Sequence, residues 1–348
     1  MTNNYYIERN MKTTERLKYL RADLPYFCSE FFVGIESQTT PLTRLNYAFD
    51  LRIFFDFLIK EVPEFQGKNF KQISLMDLDN LTATHLEIYL DYLSFYKFNG
   101  KQYHNNERAK SRKLSTVRSF LAYFFKKEKI AKNVSTKVDL PKLHEKEIVR
   151  LETNEVVDLL NLAESGSELS PTQQAFHQHT KVRDFALLSL LLGTGIRVSE
   201  CVGLNLNDID FGINGFRIIR KGGNQVVLYF SEEVADALRP YYEQRREQTQ
   251  KLPNEPALFL SLQNKRITTR AVQNLVKKYA GAITPLKKIS PHKLRSTYGT
   301  NLYRETGDIY VVADVLGHKD VNTTKKHYAA ISDDIRRSAA NKVKLRKD

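Results

Sequence analysis

Apolar and polar residues alternate with the period of an α-helix through much of the first 130 residues. In the segment 40–63, Thr40 can cap a helix, Pro41 suits its first turn and Pro63 ends it. The apolar side chains between these signals share one face, at Tyr47, Leu51, Phe54, Phe55, Leu58 and Val62. The pattern predicts a long amphipathic helix.

Two more helices are predicted in this half of the chain. One begins near Thr84, whose spacing to Glu87 is that of a capping box. The other, LSTVRSFLAYFFKKE (114–128), places its apolar residues on one side. Few strand signals interrupt them, so residues 1–130 are predicted to form a helical domain.

A charged segment with no lasting period, KIAKNVSTKVDLPKLHEKEIVR (129–150), follows this domain and contains Pro141. It is typical of a linker, which we place at 131–150, with a second domain over 151–348.

The second domain mixes helical patterns with one hairpin pattern. Thr153 can cap a helix, the polar stretch 164–181 is interpreted as a surface excursion, and RDFALLSLLLG (183–193) is typical of a buried helix. GFRIIRKGGNQVVLYF (215–230) alternates around two glycines and predicts a β-hairpin. Helical patterns resume at 267–280. The predicted fold class is therefore mainly α with a small antiparallel sheet.

Composition narrows the class of partner. The chain has 348 residues and 54 Lys and Arg against 40 Asp and Glu, a formal charge of +14. Such an excess favours a polyanion, either nucleic acid or an anionic membrane face. No apolar run approaches the roughly 20 residues of a membrane span, and the polar N-terminal stretch lacks the apolar centre of a secretory signal. Cys28 and Cys201 offer no disulfide framework or zinc spacing, so a cytoplasmic location is expected.

Four cations lie at or near the start of the predicted helix 114–128: Lys110, Arg112, Lys113 and Arg118. Such a cluster is usually a solvated face. The basic excess of the whole chain favours a DNA-facing surface instead.

The second domain carries four features that could perform chemistry. In GTGIRVSE (193–200), Arg197 leaves an apolar neighbourhood at a helix start, although a structural pair with Glu200 would also explain it. Arg220-Lys221 lies at the hairpin turn and alone indicates only a polar loop.

The other two features contain histidines. In SPHKLRSTYGT (290–300), His292 and Arg295 are three apart and would share a helix face. In LGHKDVNTTKKHYAAI (316–331), His318 follows a glycine and Tyr328 comes ten positions later.

Together these residue types are suited to phosphodiester cleavage without metal. Guanidinium groups match the non-bridging oxygens of a phosphate, and such stabilisation is usually the largest catalytic term. Histidines move protons near neutral pH, a lysine can protonate a departing oxygen, and cations can stabilise an attacking phenolate. No dense Asp/Glu cluster or GxxxxGK[ST] loop is present. We therefore predict neither a metal nor ATP as a cofactor.

This motif set resembles the catalytic half of the tyrosine site-specific recombinases, the phage-integrase and Xer superfamily, over about residues 150–335. The N-terminal helices resemble the family's core-binding (SAM-like) domain. The resemblance implies the catalytic residues Arg197, Lys221, His292, Arg295 and His318, with Tyr328 as nucleophile. Three details depart from the common pattern: Ser296 follows Arg295 where many relatives have histidine, His318 and Tyr328 are one residue further apart than in Xer proteins, and the lysine lies in RKGG rather than GKG.

The resemblance further implies a C-shaped clamp on a specific site in double-stranded DNA, a 3′-phosphotyrosyl intermediate, and a tetramer in which the tail 335–348 could dock on a neighbour. Chromosome dimer resolution of the Xer kind is the expected role, with a mobile-element or phage integrase as alternative. A type IB topoisomerase, a catalytically silent DNA-binding protein and a plain basic protein are the less favoured possibilities.

Overall fold

The computed structural model describes residues 4–143, 149–220, 223–318 and 321. The chain divides into two compact units, residues 1–146 and 147–348. Helices predominate in both, and short antiparallel strands complete them. The predicted fold class is confirmed.

The N-terminal unit contains six α-helices and one hairpin in its described part. Thr40 caps α3 by accepting from Thr43 N at 3.2 Å, and α3 ends before Pro63, as predicted. The cap of α5 is Thr82 and not Thr84, because Thr82 and His85 form the reciprocal capping pair. The elements are α1 Asn4–Ala22, α2 Cys28–Gly34, α3 Pro41–Glu61, α4 Leu75–Asp79, α5 Ala83–Tyr92, β1 Phe95–Phe98, β2 Lys101–His104 and α6 Glu107–Lys126.

The hairpin β1–β2 was not expected from the sequence. Its strands have only four residues each, too few for a clear alternation. The turn is Asn99-Gly100, and both residues have positive φ, which is the requirement of a two-residue hairpin turn.

The core of this unit is aromatic. Phe31, Phe54, Phe55 and Phe120 have no solvent exposure. The rings of Phe31 and Phe120 meet edge to face at 5.2 Å and 85°, a favourable geometry for two quadrupoles. Burial of these rings on α2, α3 and α6 holds the helices together.

Part of the predicted linker belongs to the same core. Val134 and Val138 are buried in it, beside a short 3-10 turn at Val134–Lys137. The segment is polar at most positions, so its few apolar anchors give no helical or strand period.

The C-terminal unit surrounds the long helix α8. Its sheet has the order β3-β4-β5 within the described residues, and the β4–β5 register runs from Gly215 opposite Tyr229 to Ile219 opposite Gln225, confirming the predicted hairpin. The elements are α7 Thr153–Ser165, α8 Pro171–Thr194, α9 Val198–Cys201, β3 Ile209–Asp210, β4 Gly215–Ile219, β5 Gln225–Tyr229, α10 Glu232–Gln248, α11 Thr269–Ile283, α12 Pro291–Thr306 and α13 Ile309–Leu316.

The segment 164–181 lies on the surface at most of its positions, as predicted, but from Pro171 onward it is helical and buries His177 and Thr180. Helix α8 starts at Pro171, with Ser170 and Gln173 as a capping box. His177 and Thr180 face the interior, because Tyr279 and Asp184 give them hydrogen-bond partners. Buried polar residues of this kind hide the helical period from a hydrophobicity pattern. In the described part of the chain, no helix combines the length and apolar character needed to cross a membrane.

Candidate active site

Arg197 is placed by the break between α8 and α9. Gly195 ends α8 in the left-handed conformation, φ +60°, and a Cβ there would lie 2.4 Å from Tyr298 Cδ1, so only glycine fits. Two residues later, Arg197 Nη1 donates to Glu200 Oε1 at 3.0 Å and Nη2 donates to Gly317 O at 3.0 Å. Glu200 also accepts from Arg197 N at 3.0 Å. The predicted structural pair with Glu200 exists, and it orients a guanidinium whose side chain remains 36% exposed.

Arg295 reaches the same place from α12. That helix begins at Pro291, which is a favoured first residue, and Arg295 lies one turn further on and is buried. Its Nη1 donates to Gly195 O at 2.6 Å, and its Nη2 donates to Leu316 O. Arg295 therefore ties the α8–α9 turn to the end of α13.

His318 follows the two carbonyls that these arginines bind. Gly317 ends α13 with φ +62°. His318 N donates to Ala313 O at 2.9 Å and Gly317 N donates to Asp314 O at 2.8 Å, the two bonds of a Schellman motif. Arg197, Arg295 and His318 thus meet at one helix terminus, although they are far apart in the sequence.

His292 lies in the first turn of α12 and is exposed. Its spacing of three from Arg295 puts both side chains on neighbouring positions of one helix face. Lys221 and Tyr328 lie outside the described residues, so their predicted places stay predictions. The same holds for the tail 335–348.

Two guanidiniums at one helix terminus can offer hydrogen bonds to an anion. Each guanidinium has five N–H donors in a plane, and Arg197 donates one hydrogen bond from each terminal nitrogen, to Glu200 and to Gly317 O. Remaining donors can face a phosphate. The Glu200 carboxylate offsets the repulsion between the cations before a substrate arrives.

Arg220 also belongs to this neighbourhood, although the sequence did not predict it. Its Nη2 donates to Val315 O at 2.7 Å and its Nη1 donates to Asp314 O at 3.2 Å. The available signal was weak: helix C-termini attract cations, but which cation reaches one is decided by tertiary contacts.

The four cations predicted to face DNA have different surroundings on α6. Lys113 is buried, and its Nζ donates to Asn105 Oδ1 at 3.1 Å. Burial lowers the pKa of Lys113, and the nearby Asp50 carboxylate opposes that shift. An ammonium group placed in this way is not part of a surface, so the expectation fails for Lys113.

The other three cations are partly accessible. Arg112 forms an ion pair with the buried Asp50 while its side chain is 52% exposed. Lys110 Nζ lies 3.1 Å from Glu107 Oε1, and Arg118 Nη2 donates to Val138 O. The Arg112 side chain is more exposed than the Lys110 side chain, of which 14% is exposed.

A family model for the phage integrase family matches residues 149–334. A tyrosine recombinase XerC from Caldanaerobacter subterraneus subsp. tengcongensis is 34% identical over 345 residues, 97% of this chain and 90% of the relative. Another, from Leptospira interrogans serovar copenhageni, is 26% identical and covers 88% of each chain.

Solved structures share the fold. A XerH recombinase bound to its palindromic difH substrate has a TM-score of 0.62 at 18% identity, over 83% of this chain and 77% of the other. A Tn1549 transposon integrase in complex with transposon right end DNA has a TM-score of 0.62 at 17% identity, over 91% and 98% of the two chains. The chain therefore belongs to the phage integrase family, as a tyrosine recombinase of the Xer type.

Proposed function

We propose that this protein is a site-specific recombinase that cleaves and rejoins duplex DNA through a 3′-phosphotyrosyl bond to Tyr328. The supporting observation is the convergence of two arginines on adjacent carbonyls, Arg295 on Leu316 O and Arg197 on Gly317 O, immediately before His318. That arrangement offers paired guanidiniums and an imidazole to one phosphate.

In the proposed reaction, the phenolic oxygen of Tyr328 bonds to the scissile phosphorus and the bond from phosphorus to the 5′ oxygen breaks. Arg197 and Arg295 neutralise the charge that gathers on the non-bridging oxygens. His292 and His318 donate hydrogen bonds or accept the phenolic proton. Lys221 gives a proton to the departing 5′ oxygen. The resulting 5′-hydroxyl of a partner duplex reverses these steps and completes the exchange.

The biological proposal is Xer-like: resolution of chromosome dimers by four protomers on two DNA sites, in the cytoplasm. The match to XerC relatives over most of the chain supports it. The ten-residue spacing from His318 to Tyr328 favours the alternative of a mobile-element integrase. In the N-terminal unit we propose Arg112 as a DNA contact, because it combines exposure with a fixed position beside Asp50.

The test is a nicked suicide substrate that traps the covalent complex. We expect wild-type protein to form an adduct that survives denaturing electrophoresis, and Tyr328→Phe to form none while binding the DNA as tightly. Tyr310→Phe is the matched control, since Tyr310 is an exposed tyrosine of α13 and should leave adduct formation unchanged. An adduct in Tyr328→Phe would exclude Tyr328 as the nucleophile.

A further inference from the structure

The C-terminus of α13 is held by three arginines. The last carbonyls of a helix have no partner within the helix and need other donors. Here Arg220 donates to Asp314 O and Val315 O, while Arg295 binds Leu316 O and Arg197 binds Gly317 O. Two of these arginines belong to the proposed active site. The third, Arg220, has no role in the proposed reaction.

Arg220 joins the β4–β5 hairpin to that terminus. Its backbone closes the hairpin, since Arg220 N donates to Asn224 O at 2.9 Å and Gly223 N donates to Arg220 O at 3.0 Å. Its side chain reaches α13 with hydrogen bonds of 2.7 and 3.2 Å. The end of strand β4 is therefore fixed to α13 through one residue.

The fit between Arg220 and the turn after α13 is close. A Cβ on Gly317 would lie 2.4 Å from Arg220 Nη1, nearer than any real contact, and Gly317 has φ +62°. The positive φ of the turn favours glycine before His318, and a larger residue there would also displace the Arg220 guanidinium that packs on it. The hairpin and the turn before His318 are therefore in direct contact through Arg220.

The charges around Arg220 belong to the same site. Burial lowers the pKa of Arg220, the Glu200 carboxylate opposes this, and the Arg197 cation adds to it. The negative end of the α13 dipole and Glu200 together balance the closely spaced guanidiniums. Arg220 therefore belongs to the same cluster of charges as Arg197 and Glu200.

We propose that Arg220 is a positioning residue for leaving-group protonation: by binding the carbonyls of Asp314 and Val315, it holds the chain position that precedes Lys221 in register with Arg197, Arg295 and His318. This inference rests on the proposed function, in which the Lys221 ammonium gives its proton to the 5′ oxygen as the bond from phosphorus to that oxygen breaks. Lys221 is outside the described residues and is linked to Arg220 by one peptide bond.

An anchor is needed here for a physical reason. A general acid must lie within hydrogen-bonding distance of the oxygen that it protonates, and a short hairpin is marginally stable without packing against other elements. Loss of the anchor should therefore reduce proton transfer while phosphate binding by Arg197 and Arg295 persists.

The experiment compares suicide substrates with oxygen or sulfur at the 5′ bridging position of the scissile phosphate. A thiolate leaves without being protonated, so the sulfur substrate bypasses the general acid. On the oxygen substrate we expect Lys221→Ala to lower the single-turnover cleavage rate by about 10²-fold or more and Arg220→Ala by roughly 10- to 100-fold. On the sulfur substrate both should return close to the wild-type rate.

Arg197→Ala serves as the contrasting control, because phosphate stabilisation is needed with either leaving atom and this variant should stay slow on both substrates. The ratio of the two rates is measured in one preparation, so a partly unfolded sample does not change it. Arg220→Gln, which retains one amide donor toward α13, covers the case in which Arg220→Ala does not fold.

Each outcome decides a separate point. Recovery of Lys221→Ala without recovery of the Arg220 variants would overturn the positioning role and leave the proposed function intact. Failure of both to recover would remove leaving-group protonation by Lys221, and the positioning role with it, while the Tyr328 adduct would still test the recombinase itself.

Discussion

The interiors of the two units of the chain are stabilised by different kinds of interaction. In the N-terminal unit, aromatic rings on α2, α3 and α6 fill the core, with Phe120 touching Phe31, Phe55 and Phe124 at centroid distances of 5.2 to 6.0 Å. These helices also bury a few polar groups, among them Asp50, which accepts from Arg112 and Thr116.

The C-terminal unit buries a polar network beside its apolar residues. Asp184 Oδ2 accepts from Tyr279 Oη at 2.9 Å, Thr180 Oγ1 at 3.0 Å and Lys278 Nζ at 3.1 Å, while Arg183 binds the other oxygen. Arginines also bind backbone carbonyls at the end of α13. The strength of these hydrogen bonds and ion pairs depends on the direction between donor and acceptor as well as on the volume that the side chains fill.

The difference shows how each unit tolerates change. Apolar packing is non-directional, so a side chain of similar volume keeps most of its stabilisation. A buried carboxylate that accepts from several donors cannot be replaced by an uncharged group of the same shape, because the donors lose their acceptor and the cations lose their counter-charge. Fixed direction is what the proposed active site needs.

The strongest test of this contrast is Asp184→Asn, which keeps the volume and removes the charge. We expect the free energy of unfolding of the C-terminal unit to fall by about 3 kcal/mol, at the low end for a broken buried ion pair because Lys278 and Arg183 reach solvent. Denaturant unfolding of the full chain gives the loss, and hydrogen exchange of α8 and α11 assigns it to this unit. A smaller loss of unfolding free energy for Asp184→Asn than for Phe120→Leu would contradict this contrast between the two units.

A smaller effect is expected for Phe120→Leu in the N-terminal unit. The substitution keeps an apolar side chain of comparable volume, so the loss should be about 1 kcal/mol, against about 3–5 kcal/mol for Phe120→Ala. Exchange protection of α3 and α6 reports the change. Equal losses for the two variants would mean that ring geometry, and not apolar volume, stabilises this core.

The smallest effect concerns the stability of the Asp184 network at acid pH. Burial lowers the pKa of His177, and the Lys278 cation adds to the shift. A histidine with a lowered pKa in the folded state favours unfolding when pH falls below its unfolded value of about 6.5. The folded state therefore keeps its full stability above that pH and loses stability below it, as His177 becomes protonated.

We expect His177→Gln to reduce this acid-dependent loss, measured as the difference in midpoint denaturant concentration between pH 7.5 and pH 5.5. Gln can still contact Tyr279, which hydrogen-bonds His177 at 3.0 Å in the native protein. An unchanged difference between the two pH values would show that other groups carry the acid sensitivity.

Local patterns predicted a good part of the fold. The limits of α3 and the β4–β5 hairpin follow from proline, capping and alternation signals that act within a few residues. The start of α8 at Pro171 did not follow, because its polar face is satisfied by α11 residues about 100 positions away. Lys113 was misplaced for the same kind of reason: its neighbours Asn105 and Asp50 come together only in the folded unit.

The sequence by itself determined the chemistry, since the residue types and their order predict the arginines, histidines, lysine and tyrosine of the proposed reaction. The same motifs indicate the class to which the chain belongs. Tertiary structure decided which groups meet. The end of α13 brings Arg197, Arg220 and Arg295 to neighbouring carbonyls. Helix-end carbonyls must be bonded, but any nearby donor can satisfy them. The choice of Arg220 was therefore made by the packing of the hairpin against α13, which no local pattern encodes.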